Sequence, residues 1–332
     1  MPKTLVLKGE NKMTLFNKEI SPIKAKQKAT SIIVSILRWA FLLLVGYIII
    51  YPLIYMLSVS FRHVYDFEDQ TVVWISKHYT FDNMSIAWKA LQYPIGLLNT
   101  LKTEIVSGLI EVVSCSVFAY GLARFDFKEK KLLMFFLILT ILIPTNMIMI
   151  PLMLNMRYFD CLGILKLIGN IIGTDIRPNL LNTPWAFYLP SILGVGLKAG
   201  LFIFIFVQFY KGMPKELEEA ASIDGAGPIK TFLSIVVPSS GVAFLTVTIF
   251  SVIWHWNDSY LCEMYFTNSD ILAVNLSKIY NKVSAFGLDQ YANSSSGAVM
   301  AACLLFILPM LIMYCILQKN FIKSIDRVGI VG

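Results

Sequence analysis

Charged residues are scarce in this sequence, at 15% of 332 residues, while hydrophobic residues make up 57%. A soluble globular domain has about 25% charged residues, so this chain lacks the polar surface that such a domain needs. The formal net charge is +7, yet no RNA- or DNA-binding motif accompanies the excess. We therefore expect no nucleic-acid partner, and we interpret the basic residues as markers of orientation in a membrane.

Residues that bind metals are also few and dispersed. The five cysteines and three histidines show no spacing typical of metal ligands, which argues against a zinc or haem site. Cys115, Cys303 and Cys315 lie in apolar runs and are interpreted as small buried residues. Cys161 and Cys262 are both expected in outer loops, but nothing in the sequence brings them together, so a disulfide is not favoured. We predict no metal centre.

Phosphate-binding loops are missing as well. No G-x-x-x-x-G-K-[ST] pattern occurs. The segment "GVGLKA" (194–199) formally fits the dinucleotide pattern G-x-G-x-x-A, but no strand precedes it. A close contact between helices through Gly196 and Gly200 is the better interpretation. We predict no catalytic residue and no bound cofactor.

Long apolar runs are what the sequence has in abundance. Six of them approach the ~20 residues that a helix needs to cross a bilayer. They lie at 39–61, 100–122, 132–156, 188–210, 239–257 and 297–318. The first is longer than a signal-peptide core, so we expect it to be retained as a membrane span. The pattern predicts an all-α, polytopic membrane protein with six transmembrane helices.

Basic residues predict the orientation of these spans. Lysine and arginine concentrate in the N-terminal tail (1–38) and in the segments 124–131, 211–230 and 319–327. Six spans place all four segments on one side, and the positive-inside rule makes that side the cytoplasm. Both termini, including the tail 321–332, are therefore predicted to be cytoplasmic.

A polar stretch, "PKELEEAASIDGAG" (214–227), interrupts the apolar pattern on the predicted cytoplasmic side. Pro214 suits a first helical position, the glutamates that follow favour a helix N-terminus, and Gly225 and Gly227 would end the helix. One interpretation is a surface helix that merely links two spans. The other is a compact knob, with little side-chain bulk, that fits a socket on a cytoplasmic partner.

The residues of this stretch favour the knob. "EAASIDGAGPIKTF…P", from Glu219 to Pro238, resembles the EAA loop of ABC-importer permeases, although Val242 stands where that family usually has a further proline. The resemblance implies a coupling helix that fits a cleft on the ATP-binding subunit. It assigns this role to Glu219, Ala220, Ala221, Asp224, Gly225, Ala226, Gly227 and Phe232.

Other motifs extend the resemblance along the chain. They are "FAYGLARFDFKEKK" (118–131), "IPTNMIMIPL" (143–152), "LLNTPWAFYLP" (180–190), "FSVIWHWND" (250–258) and the tail "FIKSIDRVGIVG" (321–332). Residues 95–332 resemble the smaller permease subunit of maltose-type carbohydrate ABC importers, with an insertion at 160–179. The resemblance implies a type I ABC-importer permease fold, with a first span at 39–61, a permease domain at 95–320 and its coupling loop at 211–238.

The resemblance also implies partners and a location. A permease of this kind forms a heterodimer with a second permease and works with two ATP-binding subunits, which carry the ATP and Mg. An extracellular solute-binding lipoprotein delivers a sugar or oligosaccharide, and the complex lies in the lipid of the bacterial cytoplasmic membrane. Two alternatives remain open: an ABC permease for a non-sugar solute, and a secondary transporter driven by an ion gradient, for which repeated halves would be expected.

Ionisable residues within spans indicate where a substrate could pass. Glu104 and Glu111 are seven residues apart and so lie on one helix face, with Glu111 near the middle of the bilayer. Glu111 is expected either to contact a sugar hydroxyl or to pair with Lys102, Lys198 or the companion permease.

A second candidate site for the substrate ends the fifth span. Trp254, Trp256, Asn257 and Asp258 combine aromatic rings with hydrogen-bonding groups, a combination that suits a carbohydrate. The alternative is an interfacial aromatic belt with a polar helix end.

Overall fold

The computed structural model describes residues 22–267, 270–285 and 294–329, and these ranges are helical apart from turns and one isolated bridge between Arg62 and Tyr79. This confirms the all-α class. Residues 1–21 of the N-terminal tail and 330–332 of the C-terminal tail lie outside the described residues. In chain order the α-helices are α1 (Pro22–Ser60), α2 (Val64–Glu68), α3 (Asp82–Ala90), α4 (Tyr93–Thr100), α5 (Val106–Arg124), α6 (Lys130–Leu142), α7 (Thr145–Arg157), α8 (Ile164–Ile172), α9 (Trp185–Ile192), α10 (Ala199–Gly212), α11 (Glu216–Ile223), α12 (Pro228–Thr231), α13 (Val237–Ser239), α14 (Gly241–Asn257), α15 (Tyr260–Tyr265), α16 (Leu272–Ser277), α17 (Ile279–Ser284) and α18 (Ser294–Gly329). Two π-helical turns, Leu101–Ile105 and Phe232–Val236, join α4 to α5 and α12 to α13.

Three of the six predicted spans are continuous helices. Thr30–Ser60, Tyr93–Arg124 and Ser295–Gln318 are each long and apolar enough to cross a membrane. The N-terminal part of the first, up to Tyr55, belongs to a separate unit, and its apolar side chains are mostly exposed, as expected of a helix surrounded by lipid.

The other three predicted spans are broken. The segment 132–156 bends by 109° between α6 and α7, because Pro144 forces the preceding residue, Ile143, out of helical conformation. The segment 188–210 is not one helix: α9 ends at Ile192 and α10 begins at Ala199, with left-handed backbone at Gly194 and Lys198 between them. A 79° bend at Ser240 separates α14 from the preceding short helices.

The helix α5 lies at the centre of the second unit (56–332), where it packs against α9, α10 and α14. Its buried face includes Cys115 and Ala119, which contact Phe202 and Phe206 of α10 in one apolar cluster. Small residues allow these helices to approach, which matters in lipid because apolar surface alone gives no drive to associate there. Gly200 of α10, for example, lies so close to Thr140 of α6 that an added Cβ would clash, which supports the predicted helix contact at this glycine.

The segment between α1 and α3 is held together by one buried carboxylate. Asp66, 2% exposed, accepts hydrogen bonds from the backbone N–H groups of Lys77 (2.7 Å) and His78 (2.8 Å) and lies 2.8 Å from His78 Nδ1. Burial opposes the ionisation of Asp66, but these hydrogen bonds outweigh it, and the pKa of its carboxyl lies below the usual value.

The cysteines are all free. Cys161 is exposed, whereas Cys262 is buried within α15 instead of lying in an outer loop, so the two do not pair. Cys115 is buried as predicted and Cys303 is half-buried. The prediction that Cys315 is buried is wrong for this chain, since the helix α18 presents it at the surface.

Candidate functional site

The predicted coupling loop forms two short helices joined by a glycine turn; we call residues 216–232 the elbow. The first helix, α11, ends at a Schellman motif, in which Gly225 N donates to Ser222 O (3.0 Å) and Ala226 N donates to Ala221 O (2.9 Å). Gly225 has φ +76°, a left-handed conformation that favours glycine. Gly227 has an ordinary φ of −73° and caps α12. Of these two glycines, only Gly225 is therefore required by its backbone conformation.

Most of the predicted coupling residues face outwards. Exposed members of the set are Glu219, Ala220, Asp224, Gly225 and Gly227. Ala226 is half-buried, while Ala221 and Phe232 are buried and anchor the elbow to the rest of the chain. The structure thus presents a small-residue surface, as the knob interpretation requires.

Two apolar side chains that the sequence analysis missed stand at the tip of the elbow. Ile223 is 86% exposed and Ile229 is 77% exposed, one on each side of the glycine turn. Their signal in the sequence is a large aliphatic residue on either side of "DGAG" in an otherwise polar stretch. Exposed aliphatic side chains flanking bare backbone are typical of a surface that docks into a partner.

An ion pair ties α11 to the end of α5. Glu218 Oε1 lies 2.6 Å from Arg124 Nε, and the two side chains are only 16% and 7% exposed. Tyr120 of α5 donates its hydroxyl to Glu218 Oε2 (3.2 Å), and Arg124 Nη2 donates to Met213 O (3.1 Å). In the sequence, Glu218 was recognisable only as an acidic residue that favours a helix N-terminus. Its partners Tyr120 and Arg124 lie more than 90 positions earlier in the chain.

A second connection runs from the elbow into α14. Phe232 packs on Tyr120, with ring centroids 4.9 Å apart, and begins the π-helical turn Phe232–Val236. The chain then bends at Ser240, whose hydroxyl donates to Val236 O (2.6 Å), before entering α14. The elbow is therefore linked to two core helices, α5 and α14.

Those two helices meet at a buried carboxylate and imidazole. Glu111 Oε2 of α5 lies 3.3 Å from His255 Nε2 of α14, and both side chains are fully buried. His255 Nδ1 lies 2.9 Å from Ser251 O, and a carbonyl can only accept, so Nδ1 carries a proton. Besides the proton on Nδ1, at most one proton then lies between the Glu111 carboxylate and His255 Nε2.

The sequence suggested Lys102, Lys198 or the companion permease as partners of Glu111, and the two lysines are wrong. Both lysines are exposed, and the group beside the Glu111 carboxylate is the imidazole of His255 in α14. The carboxylate also faces the break in the fourth predicted span: a Cβ added at Gly196 would lie 2.9 Å from Glu111 Oε1. Glycine at 196 thus leaves room for this carboxylate, a different contact from the predicted helix crossing.

The four candidate residues around 254–258 do not share one surface. Trp254 is half-buried against Phe202, with ring centroids 5.7 Å apart. Trp256 is 1% exposed and donates its indole N–H to Phe306 O (3.2 Å), so its faces are occupied by core contacts. Asn257 is exposed but donates to Ile253 O of its own helix (2.8 Å).

Asp258 lies in yet another environment, beside Glu104 and Cys262. One ligand atom from each of the three lies within 4.8 Å of the others, and all three side chains are buried. The sequence predicted no metal site because its cysteines and histidines show no metal-ligand spacing. Among the described residues, however, Glu104, Asp258 and Cys262 form a group that could hold a metal ion.

A cavity of about 390 Å³ borders the break in the fourth predicted span. Its lining includes Thr140, Ser191, Lys198, Trp254 and Tyr265. Of the predicted substrate residues, only Trp254 lines it. The cavity offers the aromatic rings of Phe187, Trp254 and Tyr265 together with hydroxyl groups and a cation.

Comparisons with known proteins agree with this architecture. The family model described as "Binding-protein-dependent transport system inner membrane component" matches residues 115–327. The chain is 24% identical to the diacetylchitobiose uptake system permease protein NgcG of Streptomyces coelicolor, over 87% of this chain and 86% of that protein. It is 28% identical to the melibiose/raffinose/stachyose import permease protein MelC of Bacillus subtilis, over 85% of this chain and 91% of that protein.

A solved structure shows the same fold. It is a bacterial ABC transporter involved in the import of the acidic polysaccharide alginate, with a TM-score of 0.68 and 21% identity, covering 88% of this chain and 98% of the aligned chain. The chain is a membrane permease subunit rather than an enzyme. Because the family model matches residues 115–327, more than half of the 332 residues, the chain belongs to the inner membrane components of binding-protein-dependent transport systems.

Proposed function

We propose that this chain is one of two permease subunits of an ATP-driven importer for a sugar or oligosaccharide. Two ATP-binding subunits carry the ATP and Mg, and an extracellular solute-binding lipoprotein delivers the substrate. The observation that carries the proposal is the elbow, an exposed small-residue turn with an apolar tip, tied by a half-buried ion pair to a core helix.

Coupling follows from the two connections of the elbow. The tip, with Ile223 and Ile229, docks into a cleft of the ATP-binding subunit, so closure of the ATPase pair displaces α11. The Glu218–Arg124 pair passes the displacement to α5, and the π-helical turn at Phe232 passes it to α14. Relative movement of α5 and α14 then opens or closes the pathway on either side of the membrane.

The carbohydrate assignment is supported by the relatives and by the cavity. The named relatives transport diacetylchitobiose and the melibiose, raffinose and stachyose group. In this chain the cavity at the broken span presents Trp254 with hydroxyl groups, and aromatic rings pack on the C–H faces of sugars while hydroxyls exchange hydrogen bonds with them. Trp256, Asn257 and Asp258 remain candidates in an opened conformation.

The orientation is supported by the distribution of charge. Basic residues gather at the end of the bundle that carries the elbow, including Arg124, Lys211, Lys215 and Lys230. The positive-inside rule then makes the elbow and both termini cytoplasmic, in a bacterial cytoplasmic membrane.

Co-purification tests the proposal. The tagged chain is extracted from its native membrane in mild detergent, and the associated proteins are identified by mass spectrometry. We expect a P-loop ATPase and a second permease, and reconstitution of that complex with its binding protein should give ATP-dependent sugar uptake. Uptake by the chain alone, driven by an ion gradient without ATP, would refute the proposal, and ATP-driven uptake of a non-sugar solute only would refute its carbohydrate part.

A further inference from the structure

Two buried carboxylates and a thiol meet where α14 gives way to α15. Glu104 comes from the π-helical turn Leu101–Ile105, Asp258 follows α14, and Cys262 lies in α15. Glu104 and Cys262 are fully buried, and Asp258 is 9% exposed. The cluster is therefore enclosed, with Asp258 as its one point of contact with the surroundings.

Half of the carboxylate oxygens in this cluster lack a hydrogen-bond donor. Glu104 Oε1 lies 3.1 Å from Cys262 Sγ, and Asp258 Oδ1 accepts from Leu261 N (3.1 Å). Among the residues that the structure describes, Glu104 Oε2 and Asp258 Oδ2 are buried without a hydrogen-bond partner. A buried acceptor without a partner is destabilising, so the protein would gain from a cation that ligates both oxygens.

Charge balance points in the same direction. Among the described residues, neither Glu104 nor Asp258 forms an ion pair with a lysine, arginine or histidine. Glu111, the next buried carboxylate along the helix Tyr93–Arg124, at least lies 3.3 Å from an imidazole nitrogen, that of His255. Uncompensated buried carboxylates are costly, and a bound divalent cation compensates them.

We propose that Glu104, Asp258 and Cys262 bind a divalent transition-metal ion, for which Zn²⁺ is the probe. Ca²⁺ and Mg²⁺ take oxygen ligands, whereas a thiolate with carboxylates suits Zn²⁺. Tetrahedral Zn²⁺ with bonds of about 2.0–2.3 Å needs ligand atoms roughly 3.3–3.8 Å apart, with water in the fourth position. The ligand atoms here lie within 4.8 Å of one another, so side-chain movements on the order of 1 Å complete the site.

The proposed site joins two segments of the chain that are distant in sequence. Glu104 belongs to the continuous helix Tyr93–Arg124, and Asp258 and Cys262 belong to the segment that follows α14. π-helical turns such as the one that carries Glu104 are frequent at functional sites. Binding deprotonates the Cys262 thiol, with the proton released to water, and fixes the far end of α14 to this helix.

Metal analysis of the purified full-length chain tests the proposal. The chain carries a tag without histidine, is stripped with a chelator, is incubated with Zn²⁺ and is assayed by mass spectrometry of bound metal and by chelator competition. We expect about one zinc per chain, and affinity at least about tenfold lower in Cys262→Ser and Glu104→Gln, since even residues that only support ligands contribute that much. Cys303→Ser, a half-buried cysteine in α18, is the matched control and should bind zinc like the wild type.

Cobalt gives a readout that does not depend on the variants. Wild-type chain loaded with Co²⁺ should show thiolate-to-cobalt charge-transfer absorption, and unfolding temperatures check that each variant is folded. Absence of stoichiometric zinc in the wild type, a cobalt spectrum without the thiolate band, or equal loss of zinc in Cys303→Ser would each overturn the proposal.

Discussion

Breaking the ion pair between α11 and α5 should destabilise the elbow measurably. In Glu218→Gln, the Arg124 guanidinium keeps only its bond to Met213 O (3.1 Å). Removal of one partner from a fully buried pair costs about 3–5 kcal/mol, whereas exposed pairs contribute about 0–1 kcal/mol. With side chains 16% and 7% exposed and a contact of 2.6 Å, this pair lies between the two limits, and we expect a loss of about 1–3 kcal/mol.

A double-mutant cycle isolates the pair. Glu218→Gln, Arg124→Gln and the combination are compared by denaturant unfolding in detergent, and we expect a coupling energy of about 1–2 kcal/mol. The control is Asp126→Asn, because Asp126 pairs with Lys130 at the same end of the bundle (3.1 Å) but is 94% exposed. That change should cost no more than about 0.5 kcal/mol.

The same variant separates coupling from catalysis. In the reconstituted complex, Glu218→Gln should leave ATP hydrolysis by the partner subunits present while lowering transport per ATP, since the elbow moves without carrying α5 along. Additivity of the two single changes within about 0.5 kcal/mol, or an unchanged ratio of transport to hydrolysis, would refute the reasoning.

Three further changes probe other parts of the structure. Gly225→Trp should abolish association with the ATP-binding subunit, whereas Gly163→Trp, at another exposed left-handed glycine with open space around it, should carry the same backbone strain and leave association intact in a pull-down. Gly196→Ala should lower the unfolding temperature, because its Cβ would lie 2.9 Å from Glu111 Oε1, and Glu111→Ala in the same chain should restore part of the loss. Asp66 has a folded-state pKa below its usual value, so its stabilising contribution is present above the unfolded-state pKa of about 3.9 and is lost as pH falls. Melting curves between neutral and acidic pH should therefore lose stability more steeply in the wild type than in Asp66→Asn, and parallel curves would contradict the assignment.

The sequence predicted features that depend on short stretches of chain. Hydrophobic length located the three continuous spanning helices, and two further predicted spans correspond to bent helix pairs. The glycine after α11 predicted the end of that helix, because only glycine readily adopts the left-handed backbone of a Schellman motif. Pro144 lies within the predicted span 132–156, and because proline interrupts a helix, the structure bends there by 109°. The motif at 219–238 located the elbow through its proline and glycine positions, which begin and end short helices.

Hydrophobic pattern was less informative about which helix faces are buried. In lipid the outward and inward faces of a helix are both apolar, so periodicity marks the interior weakly. The break between α9 and α10 was not predicted: Lys198 is the one charged residue in the segment 188–210, and the left-handed residues Gly194 and Lys198 are not prolines.

By itself, the sequence determined that the chain is helical and membrane-embedded and that a glycine-terminated elbow interrupts its apolar pattern, since helix length and glycine positions are local properties. Only the tertiary structure decided that Glu218 meets Arg124, that Glu111 meets His255, and that Glu104, Asp258 and Cys262 share one enclosed cluster. Each of these contacts joins segments about 90 to 160 positions apart along the chain. Their meeting depends on which faces of α5, α11, α14 and α15 pack together, and close packing of whole helices, not the spacing of residues along one helix, fixes that choice.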